Sequence, residues 1–277
     1  MDSNQLWHST YDMLPLGFST LATSDDGILF AGTIGSGVYQ FSALRSWERV
    51  SQGFPEEIQI NRLDWVDAQL FASTNRGLYR LDDDVWQATS LRAPCYRILS
   101  WGDQLVLTDN GLMCGSNWNW LPYAYPGKKA FDLMVTPHFL FLGYEEGIAY
   151  YDVFMSEWWS VSMDQPIKSL AVYNQMVLGT TADGGLVLGN KNGGFQQIRF
   201  EGMYIYRLVT TNGDVYACAN TGIYKISDLK GRIMLRSMSI QASVTDLLIW
   251  NNMMFISTLN SGIRYSTLNR SGFQSNL

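Results

Sequence analysis

The sequence predicts an all-β chain folded as a seven-bladed β-propeller, four antiparallel strands to a blade, with the N-terminal strand completing the last blade. Three observations predict it. One hairpin pattern occurs seven times, the copies follow at a nearly constant interval, and the N-terminal segment matches the segment that follows the first copy.

The hairpins read "ILFAGTIGSGVYQF" (28–41), "QLFASTNRGLYRL" (69–81), "QLVLTDNGLMCG" (104–115), "FLFLGYEEGIAYY" (139–151), "QMVLGTTADGGLVLG" (175–189), "DVYACANTGIYKI" (214–226) and "MMFISTLNSGIRYS" (253–266). In each, an apolar run meets Thr or another small residue, a short polar turn, a glycine and then apolar alternation. The anchors Gly37, Gly77, Gly111, Gly147, Gly185, Gly222 and Gly262 lie 34 to 40 residues apart and span almost the whole chain. Glycine supplies the positive φ that a tight reversal needs.

Each hairpin is preceded by another apolar segment ending in a turn pair: "STLATSDDG", "RLDWVDA", "RILSWGD", "FDLMVTPH", "SLAVYN", "RLVTTNGD" and "DLLIWNN". Most are followed by a strand with an aromatic near its start: "SWERVSQ", "VWQATSL", "NWNWLPY", "EWWSVSM" and "GFQQIRF". Four short strands in about 37 residues is the length and content of a propeller blade, whose sheet buries both faces against its neighbours.

Closure of the ring is legible too. "WHSTYDMLP" (Trp7 to Pro15) lines up with "WERVSQGFP" (Trp47 to Pro55), so residues 5–10 are expected to form the outer strand of a last blade built from 242–267. Such closure removes an exposed sheet edge. The C-terminal "SGFQSNL" (271–277) resembles "GGFQQIRF" and competes for that place. One domain over 1–277 is expected, and 277 residues are ample for a full hydrophobic core.

Composition narrows the partners. Only 16% of residues are charged, against 14% aromatic, and the net charge is −6 with no basic run longer than two residues. Nucleic acids and anionic membranes both need a basic footprint and are not expected as partners. Cys95, Cys114 and Cys218 are odd in number and widely spaced, which suits buried free thiols better than disulfides or a metal knuckle. The N-terminus lacks the basic and apolar regions of a signal peptide, and no apolar run approaches a membrane span. A reducing cytoplasm fits best, with export by another route left open.

"ILFAGTIGSGVYQFSALRSWERVSQGFP" (28–55) resembles the Asp-box propellers, the sialidase-like repeats that read apolar strand, Gly-Thr, Gly-Val-Tyr, then Trp and "GLP". "SDDGILFAGTIGSGVYQF" is similar to the sensor propellers of two-component regulators. The resemblance implies the propeller fold. The box itself, Ser/Thr-x-Asp-x-Gly-x-x-Trp, is degenerate here: the turns read "SALRSW" (42–47), "DDDVW" (82–86), "SNWNW" (116–120) and "MSEWW" (155–159), keeping the tryptophan and losing Asp-x-Gly. Sialidase chemistry would need an arginine cluster and a Tyr/Glu pair that cannot be assigned, so the resemblance leaves the chemistry open.

Gly32, Gly35 and Gly37 imitate a phosphate loop, but a strand and not a helix follows them, and no Walker lysine is present. The two histidines, His8 and His138, fall on an outer strand and in a turn, too far apart in pattern for a triad or a metal site. No metal and no cofactor are expected.

Three sets of residues remain as candidates. On the face that carries the second-to-third-strand turns and the blade-to-blade loops lie Arg76, Asp109, Asn110, Glu145, Glu146, Asp183, Asn220 and Asn260. Paired carboxylates there can do glycosidic acid–base work, with Glu145, Glu146 and Asp109 as the candidate catalytic residues and Tyr144 beside them. Aligning the inner strands on their hairpins places Arg62, Arg97, Asp132, Lys168, Arg207 and Asp246, with Thr20 in the first blade, at one level of the channel. This charged collar reads either as inter-blade ion pairs or as a seat for an anionic or polar ligand. "NWNWLPYAYPGKK" (117–129) offers Tyr123 and Tyr125 as exposed stacking groups beside Lys128 and Lys129.

Two functions are therefore expected as alternatives. One is a non-catalytic binding or scaffold propeller presenting its channel-mouth face to a protein or a polar small molecule. The other is a hydrolase or lyase acting on a carbohydrate or polar metabolite.

Overall fold

The computed structural model describes residues 7–9, 16–41, 46–116, 119–190, 194–229 and 232–268. Among them every regular element is a strand, and the strands form seven four-stranded antiparallel sheets around a central channel. In blades one to six the strands run outward in chain order, and in blade seven Val244–Trp250 is innermost and the N-terminal strand outermost, so the strand that opens each repeat lines the channel.

The sheets are apolar on both faces because each is packed between two others. One hydrophobic cluster fills each of the seven interfaces. Between blades one and two, for example, Ala22, Phe30 and Val38 meet Ile60, Leu63, Leu70 and Trp86. The aromatic at the head of the outer strand ties neighbouring blades. Trp86 is 2% exposed, stacks on Phe54 at 4.6 Å and donates its indole N–H to Val50 O of the preceding blade at 2.8 Å.

The N-terminal strand closes the ring as the sequence predicts. His8–Ser9 pairs antiparallel with Ile263–Thr267, in the register His8↔Tyr265 and Ser9↔Arg264. Trp7 donates its indole N–H to Met238 O at 2.9 Å, doing for blade seven what Trp86 does for blade two. Residues 5, 6 and 10 of the expected strand, and the competing segment 271–277, lie outside the described residues.

The recurring Thr and Gly of the hairpins have one cause. Thr33 donates its hydroxyl to Gly37 O at 2.7 Å and accepts the Ser36 N–H at 2.9 Å, holding the turn from inside. Thr74 with Gly77, Thr108 with Gly111 and Thr258 with Gly262 repeat the arrangement. At Gly77 the backbone adopts φ +118°, and a Cβ would lie 2.2 Å from Leu91 O, where the chain leaving the blade crosses the turn.

All three cysteines are free, Cys95 and Cys218 are buried, and Cys114 is half-buried. Burial pushes the Cys95 thiol up to about 12 and raises Cys218 as well. Thiolates are the reactive form. A thiol titration of the native protein at pH 8 is therefore expected to read Cys114 alone and slowly, and all three only after unfolding. Fast reaction of two or more native thiols would contradict the buried placement.

Candidate functional site

Near its start each inner strand carries an extra residue, inserted after Phe18, Ile60, Cys95, Ala130, Ile167, Ile205 and Val244. A bulge bends the strand and re-aims the side chain it adds. The added residues are Ser19, Asn61, Tyr96, Phe131, Lys168, Tyr206 and Thr245, and all seven line one mouth of the channel. The residues after them, Thr20, Arg62, Arg97, Asp132, Ser169, Arg207 and Asp246, form the collar, the waist of the channel.

This corrects the expected collar at blade five. Ser169, not Lys168, pairs with Thr180 at the level where Arg97 pairs with Leu107, and Lys168 belongs to the mouth. The other expected members occupy the level as predicted.

Hydrogen-bond chemistry explains the waist. The inner strand of a propeller has a free edge, and its amides need acceptors. Where a collar residue can accept, it takes an amide of the next blade: Thr20 that of Leu63 at 3.3 Å, Asp132 that of Leu170 at 2.8 Å, Ser169 that of Leu208 at 3.1 Å and Asp246 that of Leu21 at 3.0 Å. Arginine cannot accept. Behind each arginine an aspartate takes the amide instead: Asp64 that of Ile98 at 3.1 Å, Asp132 that of Leu133 at 3.1 Å and Asp246 that of Leu247 at 3.0 Å.

The same aspartates pair the arginines, Arg62 with Asp64 at 3.1 Å, Arg97 with Asp132 at 2.5 Å and Arg207 with Asp246 at 2.7 Å. Burial pulls the Arg62 guanidinium down, and Asp64, Asp132 and Asp246 more than offset this, leaving it raised. Arg207 also reaches across the bore from blade six, donating to Asn61 O of blade two at 3.3 Å. The collar is thus a web of inter-blade ion pairs that spans the bore.

Two cavities lie on either side of it. One, of about 620 Å³, is a funnel lined by inner-strand residues such as Leu99, Met134, Val209 and Leu248, and its charged lining is Arg62, Asp64, Arg97, Asp132 and Asp246. The other, of about 400 Å³, is the mouth, whose charged lining is Arg62, Lys168 and Arg207.

The mouth is built in two unlike halves. In blades seven, one and two the bulge side chains are small and tied down: Thr245 donates to Phe18 O at 2.7 Å, Ser19 to Ile60 O at 2.5 Å and Asn61 to Cys95 O at 2.7 Å. In blades three to six they are Tyr96, Phe131, Lys168 and Tyr206. The Tyr96 and Phe131 rings meet at 5.1 Å, as do those of Tyr206 and Tyr204, which precedes the inner strand of blade six. Lys168 Nζ sits 3.2 Å above the Phe131 ring and makes no ion pair among the described residues. Burial, then Lys129, pull its amine down to about 8 against the opposing pull of Asp109.

Of the remaining candidates, Asp109 lies at the rim, accepting from the Tyr96 hydroxyl at 2.5 Å and pairing with Lys129 at 3.4 Å. Glu145 and Glu146 lie 3.9 and 2.5 Å from Lys128 and line neither cavity. Arg76 is exposed on its turn. Tyr144 is only 3% exposed, packed on Tyr125 at 4.9 Å. Tyr123 lies on the outer strand of blade three, and both it and Tyr125 face Trp158 of blade four, at 6.4 and 5.5 Å. The structure therefore brings Arg62, Arg207 and Lys168 together at the mouth, with Asp109 at its rim, and leaves Glu145, Glu146, Arg76, Tyr144, Tyr123 and Tyr125 apart from it. Sequence reasoning missed Tyr96, Phe131, Tyr204 and Tyr206; each of the three on a bulge directly precedes a collar residue, and that position was the available signal.

No family model matches this chain, and no curated protein matches it. Solved structures do. The extracellular domain of the hybrid two component system BT4673 from B. thetaiotaomicron superposes with a TM-score of 0.75 at 17% identity, covering 95% of this chain and 40% of that one. Virginiamycin B lyase from Staphylococcus aureus gives 0.73 at 10% identity, covering 95% and 99%. The WD40 propeller of Doa1 gives 0.68 at 12% identity, covering 98% and 100%. The chain spans about 40% of the length of the two-component domains it matches. What these proteins share with this chain is architecture: it is a seven-bladed β-propeller.

Proposed function

We propose that this propeller is a non-catalytic binding protein that takes a polar small ligand at the channel mouth. The observation that carries the reading is Lys168, a cation with no carboxylate partner among the described residues, held over Phe131 in an open cavity of small-ligand size. The carboxylates that acid–base catalysis would need are engaged elsewhere, Glu145 and Glu146 with Lys128, and Asp109 with Tyr96 and Lys129. One neighbour is a lyase with a catalytically inactive histidine-to-alanine variant. Here His8 and His138 line neither the mouth nor the funnel. The extracellular domains of two component systems among the neighbours are compatible with binding as the task of the fold.

Lys168 supplies the test. Its amine titrates below the ordinary lysine value, so the unfolded chain binds more protons than the folded one between about pH 8 and the unfolded value near 10.4. Keeping it charged at pH 7 thus costs stability. Lys168→Met is expected to raise the melting temperature at pH 7 and to abolish the thermal shift that the wild type shows with at least one member of a panel of sugars, organic acids and nucleotides. A variant that is destabilised and retains those shifts would make Lys168 a packing residue and remove the reading.

A further inference from the structure

We propose that the ligand of the mouth is a small organic anion with a flat ring, a planar carboxylate whose charged group sits among Arg62, Arg207 and Lys168 while its ring lies against the tyrosine and phenylalanine walls. This rests on the reading of the mouth as the ligand site and names the ligand class.

The waist is balanced in charge but not in what it presents. Asp132 accepts from Arg97 and the Leu133 amide on one oxygen and from Ser169 and the Leu170 amide on the other. Asp246 accepts from Thr20, the Leu21 amide and the Leu247 amide, and pairs with Arg207. A carboxylate has about four lone-pair sites, so both are saturated. Neither lines the mouth.

The guanidiniums differ. Each offers five donors. Arg62 hydrogen-bonds through Nε to Asp64, with Nη1 3.7 Å from Asp132, and Arg207 uses Nη2 on Asn61 O and Nη1 on Asp246. The two side chains are 23% and 15% exposed, against 4% and 8% for Asp132 and Asp246. A molecule entering the mouth therefore meets donors and cations. Asp109, the carboxylate at the rim, is already held by Tyr96 and Lys129.

A cation would be repelled there, and a neutral sugar would leave the desolvated Lys168 amine without a counter-ion and the guanidinium donors not used on the aspartates unmet. An anionic group satisfies both arginines and Lys168. The walls favour a ring: Tyr96, backed by the buried Phe131 that Lys168 covers, on one side, and Tyr204 with Tyr206 on the other, offer aromatic faces and edges to a flat body.

Four probes separate the parts of the proposal: benzoate, benzamide, cyclohexanecarboxylate and inorganic phosphate, titrated calorimetrically at constant ionic strength. Benzoate is expected to bind at least ten-fold more tightly than each of the others. Arg207→Lys and Lys168→Met should each weaken benzoate about ten-fold and leave benzamide unchanged. Benzoate affinity should fall as pH rises through about 8, where Lys168 loses its proton. The groups that surround Lys168 are Asp109, Lys129 and Tyr96 on one side, Tyr204, Tyr206 and Arg207 on the other, and Arg62 beneath.

Equal binding of benzamide would overturn the anion. Equal binding of cyclohexanecarboxylate or phosphate would overturn the flat ring. If no probe binds while a neutral sugar from the wider panel does so in a Lys168-dependent way, the ligand class fails and the mouth survives as a site. If nothing binds in a Lys168-dependent way, both fail.

Discussion

Replacing Asp132 by alanine is expected to be the most damaging single change in the waist, costing about 3–5 kcal/mol, the range for removing one partner of a buried ion pair. One carboxylate serves four blades: it pairs Arg62 of blade two and Arg97 of blade three, caps Leu133 of its own blade, and takes the amide and hydroxyl of Leu170 and Ser169 in blade five. At about 2–4 °C for each kcal/mol in chains of roughly 200 residues, the melting temperature should drop by about 6–20 °C. A fall of only a degree or two would mean that water replaces the carboxylate and that the web is not structural.

The same residue predicts an acid limb. Burial pushes its carboxyl up, but Arg97, Arg62 and the Leu170 amide pull it further down, below the ordinary aspartate range. A group with a depressed folded pKa contributes stability that is complete above its unfolded value, near 3.9, and is lost as pH falls toward the folded one. Wild-type stability should therefore fall below about pH 4, and Asp132→Asn should flatten that part of the profile while lowering the plateau above it.

The second large effect is at Gly77. Alanine there must adopt φ +118° and place its Cβ 2.2 Å from Leu91 O, so the strand-exit segment has to move. Backbone strain of about 1–3 kcal/mol and overpacking of a similar size give an expected loss of about 2–6 kcal/mol in urea unfolding. Gly102 is the control, because its φ is +74° and nothing lies within 4 Å of its Cβ position. Gly102→Ala should cost about 1–2 kcal/mol, the left-handed strain alone. Equal losses at both positions would show that the crossing carbonyl yields freely.

The blades were legible because backbone geometry demands glycine at Gly37, Gly77, Gly111, Gly147, Gly222 and Gly262, which take a positive φ, and the carbonyls they serve demand Thr33, Thr74, Thr108 and Thr258. In blade five the positive φ falls on Gly184 and not on the expected Gly185. The collar was legible in six blades for a similar reason. It failed in blade five because Met176 opens that hairpin's second strand with an apolar residue where blade two has Gln69. Counting from Met176 instead of Val177 moves the inner strand by one, and register follows the backbone ladder, not apolarity. The mouth was hardly legible at all. A bulge whose side chain enters an open channel imposes no residue type, and Ser19, Asn61, Tyr96, Phe131, Lys168, Tyr206 and Thr245 share none. Tyr123 is exposed, as its place in the aromatic run suggests, whereas Tyr125 is half-buried because Tyr144 and Trp158 of the neighbouring blade cover it.

The pairing of His8 with Tyr265 has a consequence for how the protein is made. The two partners lie in the first and last strands of the ring, so the hoop cannot shut until the ribosome has released blade seven. Until then blade seven's third strand is an open edge, and blade one has one face in water. Such edges invite pairing with other chains, and contacts this distant in sequence form slowly. The vulnerable period in the life of this protein is therefore the interval between synthesis of blade six and capture of His8–Ser9 by blade seven.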